Sequence, residues 1–253
     1  MEKIFIKNQK NQNIVVIIER AENQVGLAFV MHGLGGSKDQ AHIETFAKAF
    51  SNNNYSVVRF DTTNTFGESD GNYEDATTTN YYEDLEDVIR WSKKQDWYQE
   101  PFVLCGHSLG GICTALYAEK YSKEVKALAP ISTVVNGEFS WRTRTKEELK
   151  NWKETGWQIR QSFSGITKKL KWSHMEDRLK FDLLKKVEKL TMPVIMIVGD
   201  MDDSTPPDQQ KILFDKLPGR KELHIIKGAP HTFRDPNHLE EIYQLMNKWI
   251  VII

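Results

Sequence analysis

The sequence predicts an α/β fold built on a doubly wound, mostly parallel sheet, and three observations predict it. Short apolar runs of strand length alternate with helical stripes along most of the 253 residues. Two of those runs, at 27–31 and 102–105, stop abruptly in glycines. The spacing between most successive runs leaves room for the crossover helix that parallel neighbours need.

Taken in order, strands are expected at 4–6, 14–19, 26–31, 56–60, 102–105, 127–131, 194–198 and 223–226. Helical stripes are expected near 39–50, 81–94, 110–121, 208–217 and 239–249. No helix separates the first two strands, so they should form an antiparallel hairpin at one edge of the sheet. About sixty residues separate the strand ending near Ile131 from the one starting at Val194, far more than a crossover of a dozen or so requires. That excess reads as an insertion. Four of the seven tryptophans occupy it, Trp141, Trp152, Trp157 and Trp172, with Ile159, Phe163 and Ile166 among them.

The most informative stretch is Phe102-Val-Leu-Cys-Gly-His-Ser-Leu-Gly-Gly111, an apolar strand that turns through Gly106-His107-Ser108-Leu109-Gly110 into a helical pattern. A serine on such a sharp turn needs almost no side chain two positions before and two after it, because the strained backbone presses those residues against neighbouring chain. Gly106 and Gly110 meet that need. Chance alone gives a G-x-S-x-G in roughly one chain in ten of this length, so its context decides. Here strand, turn and helix come in the required order, which sets the Ser108 hydroxyl beside the positive end of a helix and its free N–H groups. Upstream, Leu27-Ala-Phe-Val-Met-His-Gly-Leu-Gly-Gly36 is a second strand running into glycines, whose bare backbone can approach a substrate closely.

A nucleophilic serine needs a base, and the base needs a carboxylate to orient it. Two loops after later strands offer these. Asp200-Met-Asp-Asp-Ser-Thr-Pro206 follows the strand at 194–198 and contains three candidate acids, Asp200, Asp202 and Asp203. His231 follows the last strand and a Gly-Ala-Pro breaker at 228–230. Of the other histidines, His42, His174, His224 and His238 read as surface or core residues, while His32 and His107 flank the glycine turns in supporting positions.

With these four elements in this order, the chain resembles the α/β-hydrolase superfamily, from about Val25 onward, and within it the branch of monoglyceride lipases, serine aminopeptidases and feruloyl or cinnamoyl esterases. The resemblance implies Ser108 as nucleophile, His231 as base and Asp202 as the orienting acid, since Asp202 best matches the family's acid position. It also implies an oxyanion hole formed by the backbone N–H groups of Leu34 and Leu109. The family places a helical lid at the long insertion, here about 135–172, within a single domain spanning 1–253. Trp141, Trp152 and Trp157 would there line an apolar acyl or aromatic pocket, or else form the lid's own core. The lid's Lys and Arg residues from Arg142 to Lys171 suit an anionic substrate, although a solvated face accounts for such a run more often. One departure falls in 59–71, where Thr62 to Phe66 replace part of the family's compact glycine turn and bear on acyl or alcohol specificity.

Composition fits a globular protein with a substantial core, 40% hydrophobic and 27% charged. A net charge of -1 gives no reason to invoke nucleic acid or an anionic membrane. No targeting segment or span of bilayer length is read in the sequence, and Cys105 and Cys113 read as buried core thiols, so a reduced cytoplasmic setting is expected. The expectation is a serine carboxylesterase acting on small esters with short-chain or aromatic acyl groups, without metal or organic cofactor. The same residues would also serve a lysophospholipase or monoacylglycerol lipase, a peptidase, a thioesterase or an acyltransferase. A non-catalytic binding protein on this fold would usually have lost the nucleophile or base.

Overall fold

The computed structural model describes residues 1–161, 165 and 167–253. Its main sheet is built from β1 (Glu2–Lys7), β2 (Asn13–Glu19), β3 (Gly26–Met31), β4 (Tyr55–Phe60), β5 (Phe102–His107), β6 (Val125–Ile131), β9 (Val194–Gly199) and β10 (Lys221–Ile226). Their spatial order is β1-β2-β4-β3-β5-β6-β9-β10. β1 pairs antiparallel with β2, as the missing helix between them requires, and β2 also pairs antiparallel with β4. Every other pairing is parallel.

Strands β3, β4, β5 and β9 are buried along their whole length, the expected result where helices cover both faces of a parallel sheet. Helices α1 (Ala41–Ser51) and α8 (Pro236–Ile250) pack on one face. There Phe46, Phe50, Ile242 and Trp249 meet Ala28, Val30 and Val103. The opposite face receives α2 (Thr78–Ser92), α3 (Leu109–Lys120) and α7 (Pro207–Lys216), with Leu85, Val88 and Ile112 against Phe29, Leu104 and Leu128. Adjacent residues of one strand thus serve opposite cores, which is the two-residue period of a strand.

Between β6 and β9 the chain forms α4 (Gly137–Arg142), α5 (Lys146–Thr155), a hairpin of β7 (Trp157–Gln161) and β8 (Thr167–Lys171), and α6 (Ser173–Arg178). The purely helical segment expected here is therefore corrected by an antiparallel hairpin. Its sequence, Trp157-Gln-Ile-Arg-Gln161, alternates apolar and polar residues at the strand period. Phe163 and Ile166 lie outside the described residues. The tryptophans largely pack on one another: Trp172 meets Trp141 edge-on at 5.8 Å between ring centres and Trp152 at 5.5 Å. Trp152 is buried, and its indole N–H donates to Leu170 O at 3.0 Å. Among the described residues no helix is long and apolar enough to cross a membrane.

Candidate active site

The chain leaves β3 toward β4 on one side and returns to β5 on the other, so the strand order reverses between β3 and β5. Adjacent crossovers that diverge from such a point leave a crevice at the carboxyl ends of the strands. The Gly33–Gly36 turn after β3 and the Ser108 turn after β5 both lie there.

Ser108 has φ 54° and ψ -112°, a left-handed conformation that costs a non-glycine residue on the order of 1–3 kcal/mol. Its surroundings hold it in place. Ser108 N–H donates to Ile131 O at 2.9 Å, and Ser108 O accepts from Gly111 N at 3.0 Å and Val134 N at 3.2 Å. The flanking glycines are required by contact: a Cβ on Gly106 would stand 2.3 Å from Gly110 O, and one on Gly110 would stand 2.5 Å from His32 O. A Cβ on Gly33 would come within 2.9 Å of Ser108 Cβ, so the first glycine turn lies directly against the serine.

The structure brings Ser108, His231 and Asp202 into one hydrogen-bonded line. His231 Nε2 lies 2.9 Å from Ser108 Oγ, and His231 Nδ1 lies 2.8 Å from Asp202 Oδ2. In the neutral Nδ1–H tautomer, the serine hydroxyl donates to Nε2 and the ring donates to the carboxylate. Asp202 is fixed from the other side as well: Oδ1 accepts from Ser204 N at 2.9 Å and Thr205 N at 2.8 Å, the side-chain turn that aspartate favours in loops. Burial alone would raise the Asp202 carboxyl, but the hydrogen bond and charge of His231, with the Thr205 donors, bring it down to about 2. The competing acids are engaged elsewhere. Asp200 Oδ1 accepts from Gly228 N at 2.6 Å, and exposed Asp203 accepts from the Ser204 hydroxyl at 3.1 Å.

Two supporting residues carried little or no signal in the sequence. The Thr205 hydroxyl stands 2.9 Å from both Asp202 Oδ2 and Ser132 O, and 3.2 Å from His231 Nδ1. It can give its single proton to only one oxygen at a time, so it ties the acid loop to the end of β6. His107, from the turn itself, has Nε2 2.9 Å from His231 O and so holds the His231 loop against the strand that carries Ser108. Burial pushes the His107 imidazole down to about 3, so it stays neutral and can donate from Nε2. Only a threonine three residues after Asp202 and a histidine beside Ser108 marked these roles.

Leu109 is the first residue of α3, where backbone N–H groups have no partner within the helix. Leu34 sits in the glycine turn that crosses Ser108, and both Leu34 and Ser108 line a small cleft of about 90 Å³ together with His231 and Lys168. His32 braces that turn, with Nδ1 2.7 Å from Gly33 O while Nε2 accepts from Thr62 N at 3.1 Å. The unusual 61–71 loop is anchored by Asp61, which accepts from Lys38 N at 2.7 Å and Glu68 N at 2.8 Å, and by Asp84, which accepts from Thr63 N at 2.7 Å.

On the other side of Ser108 a cleft of about 270 Å³ runs beneath the β6–β9 segment. Its walls are polar, from Arg144, Arg160, Arg178, Ser140 and Thr205, with Val134 as an apolar contribution. Trp141, Trp152 and Trp157 line neither cleft at Ser108. Of the two roles expected for them, Trp141 and Trp152 take up packing within their own segment, on Trp172, because stacking tryptophans on each other removes more apolar surface from water than facing them onto a polar cleft, whereas Trp157 lies under the Lys171 ammonium at 5.8 Å from its ring centre. Among the described residues no three His, Cys, Asp or Glu side chains are grouped to hold a metal ion. Both thiols, Cys105 and Cys113, are buried, and burial pushes their titration up.

Fold and site define an α/β-hydrolase, and comparison with known proteins gives the family. The profile described as serine aminopeptidase, S33 matches residues 22–167, and the chain belongs to that family of hydrolases. An uncharacterized 31.7 kDa protein of the traX-finO intergenic region of Escherichia coli is 27% identical over 261 residues, covering 88% of this chain and 89% of the relative. A thiohydrolase of Eupenicillium brefeldianum is 41% identical over 51 residues, 20% of this chain and 16% of that protein. The solved structure of Est1E from Butyrivibrio proteoclasticus with ferulic acid bound matches with a TM-score of 0.84 at 23% identity, covering 98% of each chain, a likeness of fold.

Proposed function

We propose that this protein is a serine hydrolase of carboxylic esters that works through an acyl-enzyme. The observation that carries the reading is the continuous hydrogen-bonded line from Ser108 Oγ through His231 to Asp202. Ser108 Oγ attacks the ester carbonyl carbon while His231 Nε2 takes its proton, and Asp202 stabilises the imidazolium that forms. The carbonyl oxygen, now an oxyanion, is met by the N–H groups of Leu34 and Leu109. Collapse breaks the bond to the alcohol oxygen, which receives the proton from His231. Water then attacks the acyl-enzyme with His231 as base, and the acid is released from Ser108.

Residues 135–172 act as a cap on this site, within one domain spanning 1–253. At about 270 Å³ the larger cleft lies below the roughly 300–1,000 Å³ of most ligand pockets. That size favours a short-chain or aromatic acyl group over a long fatty chain, and the likeness in fold to Est1E, solved with ferulic acid bound, supports the same reading. Thioesters are the second reading, favoured by the stretch shared with a thiohydrolase.

The test is hydrolysis of 4-nitrophenyl esters from acetate to palmitate, with methyl ferulate and an acyl thioester beside them, together with fluorophosphonate labelling. Wild type should label and turn over short or aromatic esters, and Ser108→Ala should do neither while keeping its circular dichroism. Labelling that persists in Ser108→Ala would remove the nucleophile assignment. Turnover of the thioester alone would move the second reading ahead of the first.

A further inference from the structure

Arg178, at the end of α6, is 7% exposed, yet its guanidinium reaches only a long hydrogen bond to Ser140 Oγ at 3.5 Å among the described residues. Its Nε is buried without an acceptor. Arg144, between α4 and α5, stacks over the Trp152 ring at 5.1 Å, and its Nε and Nη1 are likewise buried without acceptors among the described residues. Both line the same cleft as Ser108. A buried cation with unfilled donors is costly to a folded chain, and solvated or paired alternatives are normally found.

The neighbouring carboxylates do not relieve them. Asp177 is spent on Thr79 N at 2.8 Å and on Lys180 at 3.2 Å. Glu148 accepts from Thr145 N at 2.8 Å and lies 3.6 Å from Arg160, the third arginine of the cleft. Asp203, at the cleft's rim, is exposed. Burial lowers the titration of Arg144 and Arg178 to about 10, which leaves both charged at neutral pH.

We propose that this cleft is an anion subsite, and that the substrates are esters bearing an oxyanion group, a carboxylate or a phosphate, which Arg144 and Arg178 bind while Ser108 attacks the ester carbonyl. The proposal rests on the esterase reading above for its chemistry, though not for its binding. Planar guanidiniums match an oxyanion with paired N–H donors, and the hydroxyls of Ser140 and Thr143 on the same wall can complete its shell. A neutral group in the same position would leave these donors unfilled, so the cleft selects against it.

Two measurements on the full chain test this. The first compares kcat/KM for mono(4-nitrophenyl) glutarate with 4-nitrophenyl valerate, and for 4-acetoxybenzoate with phenyl acetate, which separates an anion on the acyl side from one on the alcohol side. One anionic ester should be preferred by about 10–100-fold, the worth of a charge-assisted contact. The preference should disappear in Arg144→Met and Arg178→Met and partly return in Arg178→Lys, the anionic ester losing at least about tenfold more than its neutral counterpart. Equal rates in wild type, or a preference that survives both substitutions, would overturn the subsite.

The second measurement is calorimetric titration of Ser108→Ala with glutarate, inorganic phosphate and neutral valeramide. Binding of either anion but not of valeramide, lost when Arg144→Met is added, supports the subsite and tells carboxylate from phosphate. No difference among the three overturns it. Glutarate binding without turnover of any ester would sink the esterase reading and leave the subsite standing, whereas ester turnover without anion preference or binding would do the reverse. Arg144→Met alone carries the test if Arg178→Met does not fold, because Arg144 is only half-buried.

Discussion

Asp202 shows how much of a site can hang on one side chain. Its Oδ1 is saturated by two backbone N–H groups, which leaves Oδ2 for His231. In Asp202→Asn the amide oxygen would keep the two N–H bonds, and the NH₂ group would face His231 Nδ1. The ring would then hold its proton on Nε2, where it could no longer accept from Ser108. We expect kcat to fall by about 10³–10⁴-fold on any ester the wild type cleaves, the size known for this kind of tautomer change, with little change in KM. Asp203→Asn should cost far less, since the exposed Asp203 carboxylate accepts from the Ser204 hydroxyl and makes no bond to His231 among the described residues. Comparable losses in both variants would mean that Asp202 is not the orienting acid.

At the scale of elements, the joint between β5 and α3 is a packing problem that glycine solves. α3 can follow β5 at a sharp angle only if Gly110 passes within contact of the backbone leaving β3, where a Cβ would meet His32 O at 2.5 Å and Met31 O at 2.7 Å. Neither oxygen is the end of a flexible side chain, so Gly110→Ala must move a strand end or the helix. Such overpacking typically costs about 1–3 kcal/mol, which urea unfolding would read directly. Fluorophosphonate labelling should fall further than stability does, because the movement displaces Ser108. An alanine variant with unchanged stability and labelling would mean the joint is looser than these contacts imply. The β6–β9 segment follows a different logic. Trp141, Trp152 and Trp172 hold one another, and Arg144, Arg160 and Arg178 face the cleft.

For the whole molecule, four buried histidines set the response to acid. Burial lowers the titration of His32, His42, His107 and His174 in the folded chain. In the unfolded chain each titrates near 6.5. Below that pH the unfolded state binds more protons, so stability present at neutral pH is lost as pH falls from about 6.5 toward the folded values, about 3 for His107. Each such group contributes about 1.4 kcal/mol per pH unit across its window. Asp84 and Glu119 work against this. Burial raises them to about 6 and about 8, so each favours the folded state as pH falls through those values, but they are two groups against four. Urea midpoints should therefore drop between pH 7 and 5, and His42→Leu should flatten the slope. A midpoint that rises on acidification would contradict the burial of these rings.

By itself the sequence determined the parallel architecture and the positions at which chemistry could occur. Apolar runs too short for helices, ending in glycine, locate strand ends, and Gly106, Ser108 and Gly110 stand at a fixed local spacing because one sharp turn requires it. Such features are local, and local sterics can be read from neighbouring residues. What only the tertiary structure decided is long-range. Ser108 and His231 are 123 residues apart in the chain, and their 2.9 Å contact depends on the order of strands across the sheet. The same holds for Thr205 as a support between the Asp202 loop and β6, and for the hairpin in the β6–β9 segment. Periodicity also cannot say whether a tryptophan faces a cleft or another tryptophan, nor which of many surface-type arginines lacks a carboxylate. Those outcomes depend on which surfaces meet once the sheet has brought distant segments together.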